Sequence, residues 1–215
     1  MEKFDLLTLG EVLLRLSPKE NKRIVRSTEF ESHVGGAELN VASGVSLLGL
    51  HTGIISKLPA NAIGELARSK VRSMNVSDDY LVWDHTEDAR LGAYFYESAT
   101  FPRKPQVVYD RKHSSITRIS IDEFPEEMYT STRCFHVSGI TLALCPEART
   151  CAVEMIKRFK QAGAMISFDV NFRLNLWTGA EAKECIEGIL PYVDIFFCSE
   201  DTARLTFLKT GSAKE

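Results

Sequence analysis

The feature that most constrains the fold is the alternation of short apolar runs with longer helical patterns along most of the chain. A buried strand is predicted by the apolar run at residues 4–9, with an alternating continuation at 12–16, and further strands are predicted at residues 51–58, 134–140, 165–170 and 194–198. Helices are predicted between them over residues 38–50, 63–74, 146–161 and 180–190, with a last helix that opens at Glu200. This alternation predicts an α/β fold, with a doubly wound, mostly parallel sheet and helices on both faces.

Two segments, residues 12–34 and 89–118, interrupt the alternation because they lack helical periodicity. Their Tyr, Phe and Val content, including the pair Ile24-Val25, favours short antiparallel strands over disordered loops. We therefore predict a small β lid laid over one edge of an α/β core. The predicted parts are a core of residues 1–11, 35–88 and 119–215, and a lid of residues 12–34 and 89–118.

Composition excludes several classes of function. The 26 Lys and Arg residues against 29 Asp and Glu residues give a net charge of −3, which provides no basic footprint for nucleic acid or an anionic membrane. The first residues do not resemble a signal peptide, and no apolar run approaches the roughly 18 residues of a membrane span. Five cysteines without a C-x-x-C pair predict reduced thiols in a cytoplasmic protein. The five scattered histidines disfavour a protein-built zinc site.

Common phosphate-binding motifs are absent from the sequence. It contains neither G-x-x-x-x-G-K-[ST] nor G-x-G-x-x-G. This disfavours both a Walker-type nucleotide site and a Rossmann dinucleotide site.

The first candidate site is the glycine pair Gly35-Gly36, directly before a predicted helix. Glycines there let the backbone approach a ligand closely, and the free N–H groups at a helix start suit a polar or anionic group. A plain turn and helix start is the alternative. Asn40 lies among apolar neighbours in sequence, so its amide either binds substrate hydroxyls or caps a loop.

The second candidate site is in the predicted lid, where Tyr109 and Arg111 follow Tyr94. Strand alternation places Tyr109 and Arg111 on the same face. An arginine there can grip a carboxylate or phosphate through two parallel hydrogen bonds, and a tyrosine adds a hydroxyl and a flat wall. A solvated arginine on an edge strand is the alternative.

The third and strongest candidate site follows the predicted strand at residues 165–170, where Asp169, Asn171 and Arg173 occur together. Ligand sites of open parallel sheets lie beyond the carboxyl ends of the strands. A purely structural turn would more simply use Gly or Pro, so these polar residues favour a binding site.

Six segments, taken in order, resemble the PfkB/ribokinase family of sugar kinases, and within it the kinases of 2-keto-3-deoxygluconate. They are Leu9-Gly10-Glu11, Gly35-Gly36-Ala37 with Asn40, Tyr109-x-Arg111-Lys112, Phe135-His136-Val137-Ser138-Gly139-Ile140-Thr141, Asp169-x-Asn171-x-Arg173 with Leu176-Trp177, and Ser199-Glu200. The resemblance extends from Phe4 to about Phe207, and it is the order and spacing of the segments that make it specific.

The resemblance implies a ribokinase-like core with a β lid, and ATP-dependent phosphorylation of 2-keto-3-deoxygluconate to its 6-phosphate, with ATP and Mg²⁺ as cofactors. It implies a substrate site lined by Gly36, Tyr94, Tyr109, Arg111, Ile140 and Arg173, to which the motif reasoning adds Gly35 and Asn40. Asn171, Ser199 and Glu200 would lie near the nucleotide and its Mg²⁺, without direct metal ligands in the chain. Two arginines would explain a preference for an acidic sugar.

Two departures from the family pattern shape the expectation. Thr202 stands where the family usually has a glutamate, and no Gly-Ala-Gly-Asp segment, which carries the catalytic Asp and anion hole, occurs in the sequence. We therefore expect the amino-terminal two-thirds of a kinase, inactive alone, with its base beyond Glu215.

Two alternatives remain, a fructokinase or other neutral-sugar kinase and a non-catalytic sugar-acid binding fragment. Exposed lid strands also predict a homodimer through the lid.

Overall fold

The computed structural model describes residues 3–209 and Gly211. Its strands are β1 (Phe4–Leu9), β2 (Leu13–Pro18), β3 (Phe30–Gly35), β4 (Thr52–Pro59), β5 (Val76–Asp84), β6 (Gly92–Glu97), β7 (Gln106–Asp110), β8 (Thr132–Ser138), β9 (Met165–Asp169) and β10 (Ile195–Phe197). Its α-helices are α1 (Ala37–Leu47), α2 (Ala62–Ser73), α3 (Gly139–Ala143), α4 (Pro146–Gln161), α5 (Gly179–Ile189) and α6 (Glu200–Phe207).

Six parallel strands form the core sheet in the order β10-β9-β8-β1-β4-β5. Adjacent strand residues face opposite sides, so Ile54 packs with Leu39 of α1 and Val71 of α2, whereas Ile55 belongs to the cluster that contains Ile156 of α4 and Ile186 of α5. Helices therefore cover both faces, and the predicted doubly wound, mostly parallel fold is confirmed. Because all six strands are parallel, their carboxyl ends meet at one edge.

A second sheet of four strands has the order β3-β2-β6-β7. The pairs β2–β3 and β6–β7 are antiparallel, but β2 and β6 run parallel, which corrects the prediction of antiparallel strands throughout. The parallel pair arises because β2 and β6 both begin where the chain leaves the core sheet, after β1 and after β5. Both strands therefore start beside the same edge of the core.

The prediction of a β piece at Ile24-Val25 was wrong, because Ile24–Arg26 forms a 3₁₀ turn. Its backbone makes local bonds, from Arg26 N to Arg23 O and from Ser27 N to Ile24 O. The Ile24 N–H donates to the carboxylate of Glu97 at 2.8 Å instead of to a neighbouring strand. Hydrogen bonding to that side chain replaces strand pairing at this point.

The element boundaries follow local sequence signals where these are strong. The helix α4 begins and ends as its signals predict, with Pro146 in its first turn and a buried stripe of apolar residues. The strands β3 and β5 were not predicted. In β5, the residues Ser77, Asp78 and Asp79 follow Val76, and the strand lies at the edge of the sheet. Over the chain that the structure describes, no helix has the length and apolar character needed to span a membrane.

Candidate functional site

A cavity of about 320 Å³ lies between the carboxyl ends of β1, β8 and β9 and the strands β2, β6 and β7. Its lining residues are Glu11, Leu13, Gly36, Ala37, Glu38, Asn40, Tyr94, Tyr109, Arg111, Ile140, Asn171, Arg173, Asn175 and Leu176. The fold therefore brings together the three regions that the sequence singled out, although they are far apart along the chain. The predicted substrate-binding residues all line this cavity except Gly35.

The start of α1 approaches the end of β1 at Gly36. A Cβ atom at Gly36 would overlap the backbone carbonyl oxygen of Glu11, so only glycine permits this approach. The next turn of α1 presents Asn40, whose side chain is exposed and lines the cavity. The sequence neighbours of Asn40 suggested an amide among apolar groups, but its position on the helix directs it to the cavity instead.

Glu38 is a fully buried carboxylate in the first turn of α1. Its Oε1 accepts hydrogen bonds from the Ser138 hydroxyl at 2.6 Å, the Ser138 N–H at 3.1 Å and the Thr141 hydroxyl at 2.8 Å. Gly10 leaves the space for this carboxylate, since a Cβ atom there would overlap it. These bonds join α1 to the end of β8 beneath the cavity.

Arg111 is held by a buried carboxylate and not by solvent. Its guanidinium forms an ion pair with Glu11, and 12% of the Arg111 side chain and 3% of the Glu11 side chain are exposed. The second carboxylate oxygen of Glu11 accepts from the Ser114 hydroxyl at 2.6 Å. Burial raises the pKa of Glu11, while Arg111 and Ser114 oppose that shift. The alternative of a solvated arginine is therefore wrong.

Two tyrosines from neighbouring strands form one wall of the cavity. Tyr94 of β6 and Tyr109 of β7 are register partners, and their ring centroids are 5.8 Å apart at an interplanar angle of 39°. The Arg111 guanidinium lies 5.8 Å from the Tyr109 ring centroid, within range of a cation–π contact. A flat, partly polar wall beside a cation suits a polar ligand with an acidic group.

The polar turn after β9 also reaches the cavity. The Asn171 N–H donates to the Asp169 carboxylate at 3.0 Å, and Asn171 adopts a positive φ of 36°. Asparagine is among the few residues that readily adopt this left-handed conformation. The turn places Asn171 and the exposed Arg173 in the cavity lining, so Arg111 and Arg173 are two cations at one site.

Three predicted residues lie outside the cavity lining. Gly35 ends β3 beside Asn40, whose Oδ1 would lie 3.5 Å from a Cβ atom at Gly35. Ser199 and Glu200 follow β10, which pairs with β9, so they lie at the same edge of the core sheet. The Ser199 hydroxyl caps α6, accepting from the Thr202 N–H at 3.2 Å and donating to the Thr202 hydroxyl at 2.9 Å. Thr202 therefore completes a helix cap where the family usually has glutamate.

A metal-binding cluster or a larger cavity along α4 would be an alternative to this site within the described part of the chain. Across residues 3–209 and Gly211, no group of three or more His, Cys, Asp or Glu side chains is placed to hold a metal ion. A larger cavity, of about 960 Å³, lies along α4 and is lined by residues such as Pro146, Val153 and Lys157. None of the site residues predicted from the sequence lines that larger cavity.

Several lining residues were not predicted from the sequence, among them Glu11, Glu38 and Asn175. The reasoning that selected Asp169 could also have predicted Glu11, because each is an acidic residue at or just after the end of a buried strand. Glu38 stands three residues after Gly35, in a segment where the two glycines are the stronger signal of a site. No local signal marks Asn175, which reaches the cavity only through the turn after β9.

Comparison with known proteins places this geometry among sugar kinases. Residues 3–215 match the family model described as pfkB family carbohydrate kinase. The chain is 35% identical over 209 residues to the 2-dehydro-3-deoxygalactonokinase of Haloferax volcanii, which covers 97% of this chain and 65% of that protein. The chain thus spans about two thirds of that relative's length.

Solved structures show the same architecture. The crystal structure of the 2-dehydro-3-deoxygluconokinase of Thermotoga maritima superposes with a TM-score of 0.90 at 34% identity, covering 95% of this chain and 62% of that one. An uncharacterised sugar kinase of Pyrococcus horikoshii, solved in complex with ATP, superposes with a TM-score of 0.82 at 27% identity, covering 94% and 66%. The resemblance to ribokinase-like kinases is confirmed.

Proposed function

Because this chain belongs to the pfkB family of carbohydrate kinases, we propose that it binds a 2-keto-3-deoxy sugar acid that the whole protein phosphorylates with ATP. The reaction converts 2-keto-3-deoxygluconate to its 6-phosphate. The observation that carries the proposal is the presence of Arg111 and Arg173 in one cavity at the carboxyl ends of the strands. A neutral sugar has no group that would use two cations, whereas a sugar acid has a carboxylate.

The lining residues divide the work of holding such a substrate. Arg111 and Arg173 bind its carboxylate, and the rings of Tyr94 and Tyr109 flank its carbon chain. The exposed amide of Asn40 faces the same cavity and suits the sugar hydroxyls. Phosphoryl transfer depends mainly on positioning and charge stabilisation, so a rigid pocket of this kind contributes by fixing the acceptor hydroxyl.

ATP and Mg²⁺ are the proposed cofactors, near Asn171, Ser199 and Glu200. The described side chains form no cage of three acids at that edge, but Mg²⁺ commonly uses one or two carboxylates together with substrate phosphates. Glu200, in the exposed first turn of α6, fits such a role, whereas the Ser199 hydroxyl is occupied in capping that helix. The metal ion would neutralise charge on the phosphates when bound.

A second substrate of the same class is 2-keto-3-deoxygalactonate. The Haloferax volcanii relative, at 35% identity, is named for that acid, and the Thermotoga maritima protein, at 34%, for the gluconate. The two acids share the carboxylate and differ in the configuration of a hydroxyl group. Arg111 and Arg173 would bind both, so the choice depends on groups that face the hydroxyls.

Further proposals concern the role of the second sheet, the oligomeric state and the location of the protein in the cell. We propose that residues 12–34 and 89–118 act as a lid over a core of residues 1–11, 35–88 and 119–215. In the outer strand β7, Val107 and Val108 are 42% and 45% exposed, and pairing of two lids in a homodimer would cover them. Light scattering tests this, and a monomer at micromolar concentration would contradict it. A cytoplasmic location, where ATP is available, completes the proposal.

Titration calorimetry tests the binding proposal directly. The 215-residue chain is titrated with 2-keto-3-deoxygluconate, 2-keto-3-deoxygalactonate and fructose. We expect heat of binding for at least one of the acids and weaker or no binding of fructose. Fructose binding as tight as that of both acids would contradict the proposal.

A further inference from the structure

Glu11 occupies the junction between the two sheets. It follows β1, the strand between β8 and β4 in the core sheet, and a single residue separates it from β2 of the second sheet. Only 3% of its side chain is exposed although it lines the cavity. A buried carboxylate requires compensating partners, so its contacts indicate what it does.

The carboxylate of Glu11 is held by the segment that follows β7, an edge strand of the second sheet. One oxygen pairs with the Arg111 guanidinium just after β7, and the other accepts from the Ser114 hydroxyl at 2.6 Å. A Cβ atom at Gly92 would overlap the Glu11 carboxylate oxygen that accepts from Ser114, so glycine at this position leaves space for Glu11. Two stretches of chain that are about a hundred residues apart are thereby fixed to each other.

The guanidinium of Arg111 is only partly used by this pairing. Glu11 accepts from one of its terminal nitrogens, and its Nε is buried without a hydrogen-bond partner within the described part of the chain. A guanidinium presents its donors in a rigid fork, so fixing one terminal nitrogen also fixes the direction of the others. Arg111 lines the cavity and 12% of its side chain remains exposed, so donors that Glu11 does not engage are left to receive a ligand oxygen.

We infer that Glu11 is a positioning residue that holds Arg111 in the orientation that receives the substrate carboxylate. This inference rests on the proposed sugar-acid function and adds to it the residue through which the preference for an acid is maintained. Glu11 acts through Arg111 and does not itself touch the carboxylate, which it would repel. Its loss therefore weakens binding of an acid while the groups that hold the sugar hydroxyls remain in place.

A double-mutant cycle on the whole protein tests the assignment. KM and kcat for 2-keto-3-deoxygluconate are measured for the wild type, Glu11→Gln, Arg111→Ala and the double variant. We expect Glu11→Gln to raise KM by about tenfold or more with little change in kcat. In the Arg111→Ala background the same change has no further effect, because the residue that Glu11 positions is gone. Equal effects of Glu11→Gln in both backgrounds would overturn the inference.

Glu97→Gln provides a matched control. Glu97 is also a buried glutamate paired with an arginine, Arg103 at 2.6 Å, but it does not line the cavity. Its substitution should leave KM unchanged in both backgrounds. If Glu11→Gln does not fold, as judged by its melting curve, Ser114→Ala removes the other anchor of Glu11, and a smaller KM rise that disappears with Arg111→Ala is expected.

The cycle also separates this inference from the proposed function. A wild-type protein that does not accept either 2-keto-3-deoxy acid contradicts the proposed function. A wild-type protein that accepts the acid but shows additive effects of Glu11→Gln and Arg111→Ala retains the proposed function and contradicts only the role of Glu11.

Discussion

The carboxylate of Glu38 accepts a 2.6 Å hydrogen bond from the hydroxyl of Ser138, a residue 100 positions further along the chain. The bond joins the first turn of α1 to the end of β8, directly beneath the cavity. Thr141 donates to the same carboxylate oxygen at 2.8 Å, so the floor of the site is a fully buried polar network. Such a network fixes the backbone around Gly36 and Ile140 before a ligand arrives.

The close approach at Gly36 gives the first prediction. Gly36→Ala would bring a Cβ atom into the Glu11 carbonyl oxygen, which is backbone and yields little. We expect a loss of about 1–3 kcal/mol in the free energy of unfolding, with weaker acid binding. Gly44→Ala is the control in the same helix, because nothing lies within 4 Å of its Cβ position. It should stabilise by about 0.5–1 kcal/mol, and urea denaturation of both variants decides the comparison.

The role of Arg111 gives the second prediction. Arg111→Ala should weaken binding of 2-keto-3-deoxygluconate by about 1.5–3 kcal/mol, the range for a charge-assisted hydrogen bond. Calorimetry measures the change, with Arg90→Ala as the control. Arg90 pairs with Asp110 at 2.7 Å in the second sheet but does not line the cavity. Unchanged affinity of Arg111→Ala, or an equal loss in Arg90→Ala, would show that Arg111 does not hold the carboxylate.

Asp84 gives a prediction about acid stability. Although burial raises its pKa, hydrogen bonds from Thr86 and Arg118 hold the pKa of Asp84 at about 2, below the ordinary value of 3.8. A carboxyl whose folded pKa is depressed stabilises the fold above its unfolded pKa, so this contribution is present at pH 7 and is lost as pH falls from about 4 to 2. The lowering of the Asp84 pKa from 3.8 to about 2 corresponds to a contribution of about 2 kcal/mol to the free energy of unfolding.

Asp84→Asn tests that value through the pH dependence of unfolding. The variant should be less stable than the wild type at pH 7, and the difference should shrink as pH falls below 4. Asp88→Asn is the control, since Asp88 pairs with the same Arg118 at 2.5 Å but is 74% exposed. Exposed ion pairs contribute little, so that variant should stay close to the wild type. A constant difference for Asp84→Asn at every pH would refute the assignment.

The absence of a Gly-Ala-Gly-Asp segment gives a prediction about the 215-residue chain itself. We expect this chain to bind a 2-keto-3-deoxy sugar acid but not to release ADP from ATP in its presence. Calorimetry and a coupled ADP assay on the same preparation measure both properties. Measurable ATP turnover by these residues alone would show that a catalytic base lies among them.

Much of the core follows from the sequence because its strongest signals are local. The strand β1 and the helix α4 have the boundaries that their apolar runs predict, and α4 carries its own start signal in Pro146. The strand β5 could not be predicted in this way, since its first half is acidic and its pairing with β4 alone makes it a strand. The apolar pattern of the sequence therefore predicts those strands and helices that bury a continuous apolar face.

The candidate site was predicted only in part, for the same physical reason. Arg111 and Arg173 stand out locally as arginines near tyrosines or after a buried strand. The pairing of Glu11 with Arg111 depends on tertiary structure, because 100 residues separate them. Buried ion pairs of this kind have no sequence period, so they emerge only once the two sheets are placed together.

The central claim is that this site takes a sugar acid, and the relative kcat/KM of the whole protein for 2-keto-3-deoxygluconate and fructose tests it most directly. Coupled ADP release supplies both values under identical ATP and Mg²⁺ concentrations. The cavity with Arg111 and Arg173 predicts a clear preference for the acid. Equal or faster turnover of fructose would contradict it.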